Sequence, residues 1–347
     1  MRRGKSGKKN IEESNMKTIQ YILLILCCVS SSALAREIYV NNQAGDDRFN
    51  GAHPTSTDEA AGPLRTLGMA LKIAQGGDKI VLAKNDQPYR ESVTLWGSHN
   101  SGDVIQPFTI QGNGAVLDGS APVPADAWEY YEGNVFRFRP PQKGYAQLFL
   151  DDRPAVRVVV NNSPLPAAIT ENSPFPMGEG LGVRAKAASL PKLESLQWCL
   201  RNGDLYFCVE KRKLPDAYRL SYAALPVGIT LLHVDRVLIA DLTIQGYQLD
   251  GVNAANSATD VRLSGLTLRG NGRSGLAVGG ASSVELYAAL LGNNGYAQLL
   301  TLPYSRAFIK NSNLVPNPAA PAWIDQGGET DLNGQKVKGG MEEIKAE

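Results

Sequence analysis

Few residues in this chain have both a type and a spacing suited to chemistry. Asp250, in "YQLDGV", is the acid that stands out, and like it Arg273 lies just before the strand that carries Val252, Leu276 and Leu299 on successive repeats. Arg269 stands one repeat after Gln245. A carboxylate so placed can move protons, and an arginine can act as a base where its pKa is lowered. The same residues admit a plainer reading. An Asp before Gly bonds its own backbone in a turn, and Arg269 and Arg273 then serve as solvated loop cations. Asp241 aligns with Gly265 and Ala288, so no pair of carboxylates forms at that position. Arg306 and Lys310 lie near the end of the repeats. His53, His99 and His233 are scattered and make neither a metal set nor a triad. "QGNG" and "RGNGRSG" are not phosphate loops, because no strand-to-helix switch follows them.

These residues are carried on a repeat. Val237, Val261, Val284 and Ala307 recur at an almost constant interval. Ile239, Leu263, Leu286 and Ile309 form a second column, and Ile244, Leu268, Leu291 and Leu314 a third. Val252, Leu276 and Leu299 form a fourth, preceded by Ile229. Such a period, with strand-like content, means a solenoid in which coils pile up roughly 4.8 Å apart. Asn271, Asn294 and Asn317 recur at one turn and predict a structural ladder of asparagines. The Asn-Gly of "GLTLRGNGRSGLAVGG" is therefore read as a corner between sheets, although Asn-Gly between apolar runs ordinarily signals a hairpin. An antiparallel sandwich would explain neither the shared register nor the helix near the N-terminus. In "GPLRTLGMALKIAQGGDKIVL", Leu64, Leu67, Leu71 and Ala74 share one helical face, and Gly76-Gly77 is expected to end the helix. Residues 121 to 225 interrupt the pattern with antiparallel-looking strands, including a hairpin at Asn202-Gly203.

Composition bounds the partners. The 347 residues are 43% hydrophobic and 20% charged, as in an ordinary folding chain. A net charge of +1 argues against nucleic acid as a partner. Residues 1 to 35 read as a signal peptide, with the start at Met1 or Met16. The apolar run "IQYILLILCCV" leads to "SSSALA" and a cleavage between Ala35 and Arg36. A lipid anchor on Cys27 or Cys28 is the alternative. The mature chain is expected to be exported to the periplasm, cell surface or medium, with no membrane span, and to be a monomer. In an oxidising compartment Cys199 and Cys208, flanking the Asn202-Gly203 hairpin, are expected to form a disulfide. The predicted organisation is residues 36–120 for the N-terminal cap and first coils, 121–225 for a β-rich insertion, 226–318 for further coils, and 319–347 for a polar, disordered tail.

The N-terminal order of elements resembles that of secreted right-handed parallel β-helix proteins, the pectate-lyase-like superfamily. The resemblance rests on Pro63, Thr66 and Leu67, on Gly77, Asp78 and Ile80, and on Tyr89, Arg90 and Glu91. It continues through Pro107, Ile110, Gly112, Asp118 and Gly119. It implies an all-β fold, a right-handed parallel β-helix with an N-terminal capping helix and an inserted β-sandwich-like module. Proteins of this superfamily mostly cleave polysaccharides. By that analogy the chain is an exported carbohydrate-active protein, a polysaccharide lyase or glycoside hydrolase, with a glycan as partner. The alternative is a non-catalytic binding or surface protein that keeps the scaffold without an active site. If catalytic, Asp250, Arg269 and Arg273 carry the chemistry. Ca²⁺ would be the expected cofactor of a lyase, though the sequence offers no ligand set for it. Trp128 and Tyr130 could stack on sugar rings, or be buried in the insertion's own core.

Overall fold

In the computed structural model the described residues are 35–57, 60–103, 105–142, 144–159 and 190–337. The chain divides into two units, Met1–Arg36 and Glu37–Glu347. Only Ala35 and Arg36 of the first are described, so the predicted leader with Met16, Cys27 and Cys28 lies outside the described residues. The second unit is a β-helix. One sheet stacks Glu37–Val40, Lys79–Leu82, Phe108–Asp118, Asp235–Gln245, Thr259–Ser264, Ser283–Tyr287, Arg306–Lys310 and Glu329–Leu332, all in parallel. The two long strands, Phe108–Asp118 and Asp235–Gln245, turn a corner into a second lane with Thr267–Arg269, Leu290–Gly292 and Asn313–Val315. A separate parallel sheet holds Val93–Trp96, Ile229–Leu232, Asp250–Asn256, Ser274–Val278, Ala297–Thr301 and Trp323–Asp325. Each coil visits the first lane, the second lane and then this sheet. Strands inside the stack therefore pair with the coil before and the coil after, and those at its ends with one neighbour.

The register is the one the periodicity predicts. Val237, Val261, Val284 and Ala307 are successive partners, as are Ile244, Leu268, Leu291 and Leu314. Ile229, Val252, Leu276 and Leu299 form the matching column on the other sheet. Nearly all of these side chains are fully buried in one continuous core. Each buried Leu or Ile contributes about 1.5–3 kcal/mol by leaving water.

The corner between the two lanes is a single left-handed residue. Asp241, Gly265, Ala288 and Asn311, one per coil, have φ of 53°, 64°, 50° and 48°. One residue in that conformation redirects the chain without a hairpin, so the strands on either side are free to pair with other coils.

The helix Leu67–Ile73 packs Leu67, Ala70 and Leu71 into the core beside Ile38, Ile80 and Leu95, on the first strands of the stack. Thr66 Oγ1 caps it by accepting from Met69 N at 3.1 Å. The Glu91 carboxylate accepts from Leu67 N and Gly68 N, both at 2.8 Å. Amide groups that no helical carbonyl can satisfy are thereby paired. Tyr89 donates its hydroxyl to the carbonyls of Val40 (3.1 Å) and Ala83 (2.9 Å), and Arg90 donates to that of Ser120 (2.5 Å). The "Y-R-E" run thus ties the helix, the first strands and the start of the insertion together. The helix ends at Ala74, earlier than the predicted Gly76-Gly77, and Gly77 takes a φ of 78° beyond it.

The insertion forms two sheets. One orders Val156–Arg157, Gln197–Arg201, Asp204–Cys208, Val135–Phe138 and Glu129–Glu132, and the other Ser120–Pro122, Leu220–Ala223, Leu148–Leu150 and Arg153–Pro154. Phe138, Leu148, Trp198, Leu205, Phe207 and Leu220 make a core of their own. Asn202 and Gly203, at φ 53° and 82°, close the predicted hairpin.

Two expectations are corrected. Cys199 and Cys208 are free and buried rather than bridged. The hairpin pairs Cys199 with Tyr206, so Cys208 lies diagonally across from Cys199. Diagonal neighbours stand roughly 7–8 Å apart, beyond the reach of a disulfide. The segment after 318 is not a structureless tail as far as Val337. Trp323–Asp325 pairs with Ala297–Thr301, and Glu329–Leu332 pairs with Arg306–Lys310 before folding back on Gln335–Val337. Trp323 and Ala322 supply the apolar residues of this last coil, and a polar outer face is what a terminal repeat needs.

Candidate functional site: the corner beneath the insertion

The insertion leaves the stack between Phe108–Asp118 and Ile229–Leu232, at the corner that later coils turn near Gly246, Gly270 and Asn293. It folds over that corner. A Cβ on Gly272 would stand 2.4 Å from the Tyr145 carbonyl and 2.2 Å from that of Gln248, so only glycine permits the approach. Gln147 Nε2 reaches the carbonyls of Asn271 and Asn293 at 3.5 and 3.4 Å.

Asp250 and Arg273 meet here from neighbouring coils. Asp250 is fully buried. Its Oδ1 accepts from Arg273 Nε at 2.9 Å and from Ser274 Oγ at 2.7 Å, and its Oδ2 accepts from Arg273 Nη2 at 2.5 Å. Only 12% of the Arg273 side chain is exposed. Burial works against the Arg273 charge, but the adjacent Asp250 carboxylate outweighs it and raises the pKa above the ordinary arginine value. Arg273 is thus the reverse of a base. Asp250 has both oxygens engaged and anchors Arg273.

Two aromatic rings stand beside this pair. Tyr145 of the insertion and Tyr296 of the next coil have ring centroids 5.9 Å apart, and Tyr296 N donates to the Arg273 carbonyl at 2.9 Å. Burial raises the Tyr145 pKa, with Arg273 opposing. Neither tyrosine stands out in the sequence by motif. Tyr296 follows Arg273 by one repeat, so the period is the signal that finds it. Tyr145 lies in the aperiodic insertion, where register says nothing.

Arg269 is not part of this cluster. Its Nε donates to Gln245 Oε1 at 2.8 Å, and Gln245 Nε2 donates to Asp118 Oδ2 at 3.1 Å. Arg90 lies 3.8 Å from Asp118, completing a polar row along successive coils. Trp128 and Tyr130 are separated in role. Trp128, partly buried, packs on Phe138 and Phe207 at 5.6 and 6.1 Å against the insertion core. Tyr130 is 67% exposed, on the edge strand Glu129–Glu132.

The asparagine ladder has two rungs of the predicted kind. Asn271 Nδ2 and N donate to Asn294 Oδ1 at 3.1 and 2.9 Å. Asn294 Nδ2 then donates to Gln298 Oε1 at 2.8 Å, so glutamine takes the third place. Asn317 turns aside and donates to the Asn294 carbonyl at 2.9 Å. Among the described residues no three of His, Cys, Asp and Glu gather to hold a metal ion.

No family model matches the chain. No curated protein matches it either. Among solved structures, one described as a glycoside hydrolase is 13% identical, with a TM-score of 0.54, covering 87% of this chain and 74% of that one. A pectate lyase, Pel9A, is 11% identical at a TM-score of 0.38, covering 87% of this chain and 62% of that one. A complex of XylC with xylose is 11% identical at 0.39, covering 85% and 69%. With its parallel coils, stacked apolar columns and inserted module, the chain has a parallel β-helix fold, and it is similar in fold to the solved structure described as a glycoside hydrolase.

Proposed function

We propose that this is an exported carbohydrate-active β-helix protein that holds an extracellular glycan where the insertion meets the coils. The observation that carries the reading is Arg273, held by Asp250, which Ser274 fixes in turn, beside Tyr145 and Tyr296. A fixed guanidinium donates to sugar oxygens, and tyrosine faces stack on sugar rings. Binding is favoured over turnover at this corner, because the carboxylate is spent on the arginine and the arginine holds its proton. The likeness of fold to a glycoside hydrolase supports a carbohydrate ligand.

The test is retention of the full chain on columns of pectin, alginate, sulfated glycan and neutral glycan, beside assays for unsaturated products and new reducing ends. Retention on one glycan, weakened about tenfold or more by Arg273→Ala or Tyr296→Ala, is expected. Retention that both variants leave intact would move the site elsewhere. Turnover that both variants preserve would make the protein an enzyme working at another surface.

A further inference from the structure

Arg157 is a half-buried cation that pairs with no carboxylate among the described residues. It ends the strand Val156–Arg157 of the insertion, its guanidinium 5.4 Å from the centre of the Trp198 ring. Nη1 donates to the Gly295 carbonyl at 3.2 Å, while Nε is buried with no hydrogen-bond partner. Among the described residues no carboxylate acts on it, and the only neighbouring acid is the thiol of Cys199. Burial pushes the Cys199 pKa up to about 11, so that thiol is neutral at ordinary pH. Arginine nevertheless keeps its proton in proteins. An isolated buried charge is among the most unfavourable arrangements a fold can hold.

The guanidinium opens on a cavity of about 180 Å³ between the insertion and the corner. Its described walls include Gln147, Asn293, Asn317, Pro318 and Ala319, and no acid. The Arg157 Nε–H, left without a partner, and the polar wall residue Asn293 face space for a few water molecules, and a charged N–H donor of this kind is what a small oxyanion needs.

We propose that this cavity is an oxyanion site, taking a carboxylate or sulfate group on the Nε edge of Arg157 with the Asn293 amide at its mouth. A free ion and a substituent on a glycan share this chemistry. The inference therefore stands whether or not a sugar chain is held at Arg273.

Thermal unfolding and tryptophan fluorescence of the full chain, titrated with sodium sulfate against sodium chloride at equal ionic strength, test it. Sulfate stabilises proteins in general, so the site is read from the difference between wild type and variant. The wild type should gain a saturable rise in Tm of a few degrees that Arg157→Gln lacks. Ala319→Phe, which fills the cavity without touching the guanidinium, should remove the same rise and carries the test if Arg157→Gln fails to fold. A sulfated or uronate oligosaccharide binding at least tenfold tighter than free sulfate would assign the oxyanion to a glycan, and equal affinity to a free ion. The proposal is overturned if wild type gains nothing beyond the general salt effect, or if the rise survives in the variants.

Discussion

Asp250 illustrates how burial decides what a residue can do. From the sequence it is an acid at a recurring position, open to a catalytic or a turn reading. In the fold it is a fully buried carboxylate whose oxygens are divided between Arg273 and Ser274. Removing one partner of such a pair leaves the other charge stranded, at a cost of about 3–5 kcal/mol. Asp250→Asn should therefore lower stability by that amount in denaturant unfolding, whatever it does to ligand binding. A change below about 1 kcal/mol would mean that the pair is not formed, since surface pairs contribute no more than that. Cys199 and Cys208 make the same point for covalent chemistry. Their spacing in the sequence allows a bridge, and the hairpin register, one residue at a time, forbids it.

At the scale of elements, the corners govern the fold. A left-handed residue costs an L-amino acid with a Cβ roughly 1–2 kcal/mol. Asp241, Gly265 and Asn311 are of types that tolerate it, but the coil at 288 uses alanine. Ala288→Gly should stabilise the protein by about 0.5–1 kcal/mol, the relief of that strain less the extra freedom glycine has when unfolded. The midpoint of thermal unfolding would show it as a small rise, and a fall would mean that the corner is not left-handed. These corners also explain how far the sequence can be read. Periodicity places Asn271 and Asn294 in a ladder because both lie on the repeat. Asn317 shares the spacing but not the partner, because Gln298 reaches Asn294 first. Nothing in a column of identical letters announces that competition.

For the whole molecule, the closed end of the stack depends on hydroxyls that donate to backbone carbonyls. Tyr89 does so to Val40 and Ala83, and Tyr247 to Glu91. Burial pushes the Tyr89 pKa up to about 12, and that of Tyr247 well above the usual tyrosine range. The native state then holds these protons more tightly than the unfolded chain, whose tyrosines titrate near pH ~10. Their contribution is complete below that pH and is lost as the pH rises through about 12. Alkaline unfolding should begin in this window. Tyr89→Phe should lower stability by about 1–3 kcal/mol at neutral pH, through unpaired carbonyls, and should flatten the alkaline slope. An unchanged slope in that variant would place the alkaline titration elsewhere.

The coil architecture can be read from the order of the amino acids, because a parallel stack writes its contacts into the chain at a fixed period. Each rung must offer an apolar residue at the height of its neighbours, and four columns do so. The helix at the first coils and the hairpin at Asn202-Gly203 are legible for a similar reason, since caps and tight turns are local. What the corner beneath the insertion contains emerges only in three dimensions. Tyr145 and Arg157 are brought to Tyr296 and Gly295 across a long stretch of chain by an aperiodic module. Contacts between a repeat and a module outside it share no period. They follow instead from how two separately formed cores press together.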